Sequence, residues 1–327
     1  MYDHISHVGD NALVTIVAAL LNIDANLQNL SLTDGGTHEA YFTLVIRSLF
    51  EDLVRFKLCK GSCIGSEKEF EHILRELLDN LEAYNLIVDI CRIPPERIEL
   101  FYPWIVKNII KKLRDMTEKE LYTIPVKWEE HALCVCFLRE TNTIVIRIDN
   151  LNSSEKGEHE AYQNKDTFWI VIPKIIGEIP LDRLEDNEEY FISLLKCVKE
   201  ETNRGDGIET VYHNSKLKYL NIERVISMTE QLKRQSEVLN CFIQQAKDNC
   251  FIKSHECRLA IRYNNDYNIY QKIMKIMRVY AIKLPTKDIG EKREALENVL
   301  KAYWQQETSI TNTRWVAMSQ KTFYSKN

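Results

Sequence analysis

The segment 244–254 holds the residue types that a thiol nucleophile requires. Cys250 follows a polar run and stands where a helix is predicted to begin, and the backbone N–H groups of a helix start stabilise a thiolate. Gln244 and Gln245 precede it by six and five residues, so either side-chain amide could donate a hydrogen bond to an oxyanion beside the sulfur. The segment therefore indicates nucleophilic chemistry at Cys250.

The base for such a thiol is predicted on a β-hairpin. Residues 131–138 and 143–149 are rich in β-branched and other apolar residues, and a polar stretch at 139–142 separates them. A three-residue loop at 140–142 would place His131 diagonally opposite Asp149 on one face, whereas a two-residue loop would offer Asn150 instead. With either partner, the imidazole can take the thiol proton while the carboxylate or amide fixes its tautomer.

The order His131, Asp149, Gln244, Cys250 resembles that of the papain-like cysteine protease clan, which includes the SUMO-type proteases and many effector peptidases of intracellular bacteria. In that clan a strand-borne His is followed on the next strand by Asp, Asn or Glu, and later by Gln and Cys at a helix start. The intervals of 18 residues from His to Asp and six from Gln to Cys fit this pattern. The resemblance covers residues 126–172 and 240–262, about a fifth of the chain.

The local sequence is closer to the bacterial effector members than to the SUMO-type members. SUMO-type members commonly have His-Trp and Asp-Cys-Gly, where this chain has His131 followed by Ala and Cys250 flanked by Asn and Phe. In the effector members the glutamine often stands five residues before the cysteine, which would make Gln245 the oxyanion donor. Gln244 and Gln245 both remain candidates.

The resemblance implies an α+β fold in which a small mixed or antiparallel sheet packs on the Cys-bearing helix of a papain-like core, with large helical additions at both ends. We expect a helical N-terminal region at 1–120, the catalytic core at 121–262 with an inserted segment at about 173–238, and C-terminal helices at 263–327. It further implies cleavage of a peptide or isopeptide bond in a host protein or a ubiquitin-like conjugate, without a cofactor. Such a bacterial effector would act in the cytoplasm of a host cell, although a cytoplasmic role in the producing cell fits equally.

Composition narrows the class of protein. The 327 residues suffice for a large core, and 43 basic against 48 acidic residues give a net charge of −5, which argues against a nucleic-acid partner. The nine cysteines are odd in number and lie mostly in apolar stretches, as expected for reduced thiols, and they lack the spacing of a zinc site. No apolar run approaches a membrane span and no basic region opens the chain, so any export is expected to use a route without a signal peptide.

Helical periodicity dominates the first 120 residues, and predicted strands and helices then follow one another along the rest of the chain. The predicted helices before the hairpin lie at 10–22, at 37–58, from an N-cap at Ser66 to about residue 81, and from Pro103 to about Met116, with a break at Pro94 and Pro95. After the hairpin the sequence predicts a strand at 165–172, a helix at 182–202, a turn at 203–207, a strand at 208–212 and helices at 221–241, 267–282 and 291–306.

Two other functions fit the same residues. Some relatives within the clan use the cysteine for acyl transfer, and a helical interaction protein could retain a papain-like core without catalysis. No glycine-rich phosphate loop, His-Glu-x-x-His or Gly-x-Ser-x-Gly pattern indicates a rival chemistry. The reactivity of Cys250 separates the hydrolase from the interaction protein.

Overall fold

The computed structural model describes residues 67–128, 131–151, 158–163, 169–199, 203–239, 242 and 250–263, together with residues 47, 270, 271, 273, 274, 297 and 301. One compact unit is formed by Thr33–Gln245 and Cys250–Lys275. A second is formed by Met1–Leu32, Ala246–Asn249 and Ile276–Asn327, of which Glu297 and Lys301, both helical, are described. The predictions at 10–22 and Ser66 lie outside the described residues, as do most of those at 37–58, 267–282 and 291–306; within them the described residues 47, 270, 271, 273, 274, 297 and 301 are helical.

Two long helices precede the sheet. Helix α1 spans Glu67–Arg92 and α2 spans Pro95–Asp115. The prediction that the second helix starts at Pro103 is wrong, because Pro95 occupies the first turn, where a missing N–H costs nothing, and Pro103 lies inside the helix on its exposed side. The buried stripe of α2 shows the helical spacing: Ile98, Tyr102, Ile105, Val106, Ile109, Ile110 and Leu113.

The described strands form two antiparallel sheets. The strands are β1 (Leu121–Trp128), β2 (His131–Arg139), β3 (Thr143–Asp149), β4 (Ala161–Gln163), β5 (Trp169–Val171) and β6 (Lys174–Pro180). The larger sheet has the order β1-β2-β3-β6, and β4 pairs with β5. The α+β class is therefore confirmed, with a small antiparallel sheet of four strands among several helices.

The β2–β3 hairpin closes through a two-residue loop, Thr141-Asn142. The Glu140 N–H donates to the Thr143 carbonyl at 2.9 Å, and Cys134 lies opposite Asp149. The three-residue loop is thus wrong and its two-residue alternative is the one observed. Because side chains alternate along a strand, Asp149 shares a face with Cys134, whereas His131 and Asn150 point to the other face.

The two faces of the larger sheet carry different layers. The core face bears Leu133, Val135 and Phe137 of β2, which belong to one apolar cluster with the buried stripe of α2 and with helix α3 (Glu188–Lys199). The α6 face bears Cys134, Cys136 and Asp149 and is covered by helix α6, which spans Cys250–Arg262. Asp149 therefore lies under α6, and the side chain of His131 lies on the opposite side of the sheet.

A β-bulge interrupts the pairing of β3 with β6. Ile146 pairs with Gly177, but the next residue, Arg147, pairs with Ile175, so Ile176 is an extra residue in β6. Beyond the bulge Lys174 lies opposite Ile148 and hence on the core face.

The region between the sheet and Cys250 is more helical than the sequence indicates. Two short 3-10 turns, Leu181–Arg183 and Glu185–Asn187, precede α3, so the helix predicted from 182 begins six residues later. Helix α4 spans Arg204–Tyr212 and replaces the turn and strand predicted at 203–212. Helix α5 spans Ile222–Leu239, close to the prediction, and the strand predicted at 165–172 is described only at Trp169–Val171.

Asn203 explains why α4 forms in spite of two glycines. Its side-chain Oδ1 accepts the Asp206 N–H at 3.0 Å, which satisfies one of the free donors at the helix start. Gly207 is required by packing, because a Cβ added there would lie 2.6 Å from ring atoms of Trp128. The cap and the ring of Trp128 together hold the start of α4 against β1.

Among the residues that the structure describes, none of the helices combines the length and the apolar character that crossing a membrane requires.

Candidate active site

The predicted base, His131, is the first residue of β2 and lies at the rim of the larger sheet, where β1 ends, β2 starts and β3 ends. It pairs with Trp128 across the β1–β2 turn, and the two ring centroids are 5.1 Å apart. Its Nε2 atom is buried and has no hydrogen-bond partner within the described part of the chain. His131 therefore presents an unsatisfied imidazole nitrogen at this rim.

Burial keeps the imidazole of His131 neutral. It lowers the pKa of His131 to about 4 from the ordinary value of 6.5, and the nearby Arg204 guanidinium and His159 act in the same direction. A hydrogen bond with Asn150 acts in the opposite direction. At neutral pH the ring is thus an uncharged proton acceptor.

A series of hydrogen bonds between buried polar groups starts at Asn150. Its Nδ2 donates to the Tyr212 hydroxyl at 2.9 Å, and that oxygen lies 2.8 Å from His159 Nε2. His159 Nδ1 lies 2.7 Å from the carbonyl oxygen of Ile172. Burial lowers the pKa of His159 to about 4, with Lys174 adding to the effect of burial and the bond to Ile172 opposing it. The chain links His131 to the backbone after β5.

A cluster of charged side chains borders this chain of bonds. Glu158 binds Lys174 at 3.1 Å and His213 at 2.9 Å. Although burial opposes it, the hydrogen bonds from these two partners hold the pKa of Glu158 below its ordinary value. Lys174 Nζ also lies 5.3 Å from the ring centroid of Tyr212, which is the geometry of a cation–π contact.

The other predicted partner, Asp149, is fully engaged on the α6 face. Arg147 Nε and Nη2 donate to its two oxygens at 2.6 and 2.9 Å, and the Cys136 thiol donates at 3.1 Å. Burial and the Asp149 carboxylate raise the pKa of Cys136 far above that of a free thiol. The structure therefore does not bring Asp149 to His131, and Asn150 takes the position that the two-residue loop offers.

Two hydrogen bonds fix the direction of α6, the helix that Cys250 begins. Arg262 Nη1 donates to the Lys119 carbonyl at 2.9 Å, and Arg258 Nη1 lies 3.4 Å from Thr123 Oγ1. Helix α6 and strand β1 therefore run antiparallel, so the helix from Arg258 to Cys250 follows β1 from Thr123 towards Trp128. About 12 Å of helix separate Arg258 from Cys250, and about 16 Å of strand separate Thr123 from Trp128. Helix α6 thus begins towards the rim where His131 lies.

The backbone of Cys250 is helical, as predicted, but its side chain lies outside the described part of the structure, as do Gln244 and Gln245. The residue before this gap, Phe242, accepts a hydrogen bond from the Val171 N–H at 3.0 Å and has a positive φ of 61°. That conformation is uncommon for a bulky residue, and the hydrogen bond from β5 anchors the backbone at Phe242.

Sequence reasoning missed His159, Tyr212 and Trp128. His159 lies in a polar segment with no periodic pattern, and Tyr212 lies in the stretch predicted as a strand. Only the apolar neighbours of Trp128 gave a signal, since they indicate a strand before His131. Trp128 reaches the rim through its local pairing with His131, whereas long-range packing brings His159 and Tyr212 there.

No protein-family model matches the chain, and a search of curated proteins found no significant match. In the described part of the structure, no group of three or more His, Cys, Asp or Glu side chains is arranged to hold a metal ion.

Proposed function

We propose that this chain is a cysteine hydrolase with a papain-like core. Cys250 is the nucleophile, His131 is the base, Asn150 orients the imidazole in place of Asp149, and Gln244 or Gln245 donates to the oxyanion. The observation that carries the proposal is the buried Nε2 of neutral His131, which has no hydrogen-bond partner among the described residues and lies at the rim towards which α6 begins.

The position of His131 at the start of β2 supports an approach of the thiol. No strand residue of β2 precedes it, so a thiol at the first turn of α6 reaches the imidazole around the rim rather than through the sheet. Transfer of the thiol proton creates a thiolate and an imidazolium, and each charge stabilises the other. The N–H groups of the first turn of α6 add to the stabilisation of the thiolate.

The substrate class follows from the resemblance of the sequence. The hydrolase would cleave a peptide or isopeptide bond in a protein, with a ubiquitin-like conjugate or another host protein as substrate of a bacterial effector. Acyl transfer through the same thioester is a variant of this chemistry, because only the final acceptor differs.

A second candidate function is a protein-interaction module without catalysis. The carboxylate of Asp149 is occupied by Arg147, and the ring of His131 lies on the face of the sheet opposite α6. Helix α2 also exposes Leu100 by 80 %, Trp104 by 61 % and Phe101 by 43 % of their surfaces, a contiguous apolar row of the kind that binds proteins.

The test is the pH dependence of Cys250 alkylation by iodoacetamide, read by peptide mass spectrometry in the native protein and in His131→Ala. We expect a native rate that is already near its plateau at about pH 6 and is lowered by the substitution, because a His-paired thiolate forms well below the ordinary thiol pKa of about 8.5. Cys134, Cys136, Cys197 and Cys257 are buried and serve as slow internal controls.

Two further variants separate the candidate partners of His131. Asn150→Ala should slow the alkylation of Cys250, whereas folded Asp149→Asn should not. A Cys250 rate that follows an ordinary thiol in the native protein and in His131→Ala alike would rule out the hydrolase and favour the interaction module. If Cys250 reacts with iodoacetamide at pH 6, ubiquitin-like probes that carry a C-terminal electrophile would next test the substrate class.

A further inference from the structure

The chain of hydrogen bonds behind His131 has a direction, and the carbonyl of Ile172 sets it. A carbonyl oxygen only accepts, so His159 Nδ1, 2.7 Å away, carries a hydrogen. A neutral imidazole has one N–H, so His159 Nε2 is bare and accepts a hydrogen bond. Its partner at 2.8 Å is the Tyr212 hydroxyl, which must therefore donate to it.

The Tyr212 hydroxyl has one hydrogen, and His159 uses it. The oxygen of Tyr212 is left as an acceptor, which matches the 2.9 Å bond from Asn150 Nδ2. This bond fixes the amide of Asn150, because a flipped amide would turn a carbonyl oxygen towards an oxygen that has no hydrogen to give. The side chain of Asn150 is 1 % exposed, so no bulk water compensates for a flip.

The orientation of Asn150 decides which nitrogen of His131 carries the proton. Asn150 and His131 are diagonal neighbours on the core face of the β2–β3 pair, within reach of each other's side chains. With Nδ2 directed at Tyr212, the amide turns Oδ1, which can only accept, towards His131. The hydrogen bond between the two side chains therefore places a hydrogen on the ring nitrogen that faces Asn150. Since Nε2 has no partner in the described part of the chain, that nitrogen is Nδ1, and Nε2 keeps its lone pair.

We propose that Tyr212 and His159 are positioning residues which, through Asn150, hold neutral His131 in the Nδ1–H tautomer and so keep its Nε2 lone pair available as a proton acceptor. Their role in catalysis rests on the proposed function, because it requires His131 to be the base for Cys250. The tautomer itself does not depend on any activity. A base held in the wrong tautomer presents a hydrogen where it should accept one.

A purely structural role makes a different prediction. Tyr212 also packs edge-on to His159, with ring centroids 5.3 Å apart, and belongs to the apolar cluster on the core face. If only these ring contacts mattered, loss of the hydroxyl would leave the tautomer of His131 unchanged. The hydroxyl is therefore the group to remove.

The tautomers are measured at pH 7 by long-range 1H–15N correlation spectra of Cys250→Ala protein labelled with 15N-histidine, in which no thiol proton can reach His131. His131→Gln and His159→Gln in the same background assign the two sets of signals. We expect both residues in the Nδ1–H form in Cys250→Ala. A His131 in the Nε2–H form there would overturn the proposal before any positioning variant is made.

Tyr212→Phe tests the relay, and Tyr190→Phe is the matched control. Tyr190 is also fully buried, and its hydroxyl has no hydrogen-bond partner among the described residues. We expect Tyr212→Phe to convert His131 of the Cys250→Ala protein to a mixture of tautomers. In the protein that retains Cys250 it should slow alkylation at pH 6 by roughly tenfold, the lower end of the effect of removing hydrogen bonds that orient metal-bound histidines. Tyr190→Phe should change neither quantity.

The possible outcomes separate the relay from the hydrolase. An unchanged His131 tautomer in Tyr212→Phe overturns the relay, even if Cys250 reactivity depends on His131. A shifted tautomer in the Cys250→Ala background, together with a native Cys250 that behaves as an ordinary thiol, supports the relay and rules out the hydrolase. A shifted tautomer together with slower alkylation supports both.

Discussion

Asp149 and Asn150 are adjacent in the chain, and the alternation of side chains along β3 gives them unrelated tasks. Asp149 turns to the α6 face, where Arg147 and Cys136 bind its oxygens. Asn150 turns to the core face, where it joins His131 to Tyr212. The first residue thus contributes to the stability of the fold, and the second contributes to the candidate site.

At the residue scale, we expect Arg147→Met to be strongly destabilising. The side chains of Arg147 and Asp149 are 5 % and 0 % exposed, so the substitution leaves a buried carboxylate without its cation. Breaking a buried pair in this way costs about 3–5 kcal/mol of unfolding free energy. Urea unfolding at pH 7 measures the loss.

Arg183→Met is the control for this experiment. Arg183 contacts Asp182 and Asp186 at the surface and is 55 % exposed, so its loss should change the free energy of unfolding by less than about 0.5 kcal/mol. If Arg147→Met were as mild as this control, the buried pair of Arg147 and Asp149 would not contribute to stability as described.

The sequence could reduce the partner of His131 to two residues but could not choose between them. The choice depends on the hairpin loop, and Thr141-Asn142 lacks the glycine that usually marks a two-residue loop. A change of one residue in loop length moves every side chain of β3 to the other face. The backbone hydrogen bond from Glu140 to Thr143 supplies the missing information.

At the element scale, α4 depends on close packing of its first turn against β1. We expect Gly207→Ala to destabilise the protein by about 1–3 kcal/mol, because the new methyl group would lie 2.6 Å from ring atoms of the buried Trp128. Thermal and urea unfolding measure the cost, and the near-ultraviolet circular dichroism of the tryptophans reports the displaced ring.

Gly205→Ala is the matched control on the same helix. Among the described residues, a methyl group there would meet the Oδ1 atom of Asn203 at 3.4 Å, an ordinary contact distance, and alanine favours helix over glycine by up to about 1 kcal/mol. The variant should therefore be neutral or more stable. Equal effects of the two substitutions would contradict the packing of Gly207 against Trp128.

The helices and strands that sequence reasoning missed share a physical reason. Pro125 lies inside β1 and argues against a strand, yet β1 is at the edge of the sheet, where a missing N–H is tolerated. Strand β6 contains Gly177 and ends at Pro180, and it is the other edge strand. In α4 two glycines indicate a turn, although the Asn203 cap was a usable signal. In each case tertiary contacts outweigh local preference.

At the scale of the whole molecule, His131 and His159 make stability depend on pH. Both have a pKa of about 4 in the folded protein, whereas an unfolded histidine titrates near 6.5. Between these values the unfolded state binds more protons, so their contribution is fully present above about pH 6.5 and is lost as the pH falls towards 4.

We therefore expect the unfolding free energy to decline between pH 6.5 and 4, and His159→Gln to make the decline shallower by up to about 1.4 kcal/mol per pH unit. Urea unfolding at pH 7, 6 and 5 measures both slopes. The comparison uses slopes, so a uniform loss of stability in the variant does not affect it. Parallel slopes would show that His159 is not held neutral by the fold.

What the sequence could predict at this scale depends on how local the signal is. The hairpin was predictable from alternation, because alternation is a local property, whereas the α+β class was expected from the resemblance. The segment expected as an insertion supplies β6 to the larger sheet and Tyr212 to the chain of bonds behind His131. Neither contribution has a local signature, because each depends on contacts between residues far apart in the chain.

The bulge in β6 also determines how this strand must be aligned with a related sequence. Lys174 lies opposite Ile148, beneath Tyr212, only because Ile176 is an extra residue. In an uninterrupted pairing, position 174 would lie opposite Asp149, and position 175 would take the place beneath the tyrosine. A homologue with a regular β6 is therefore expected to carry this lysine two residues before the glycine rather than three. An alignment without a gap would then match the lysine to the wrong position.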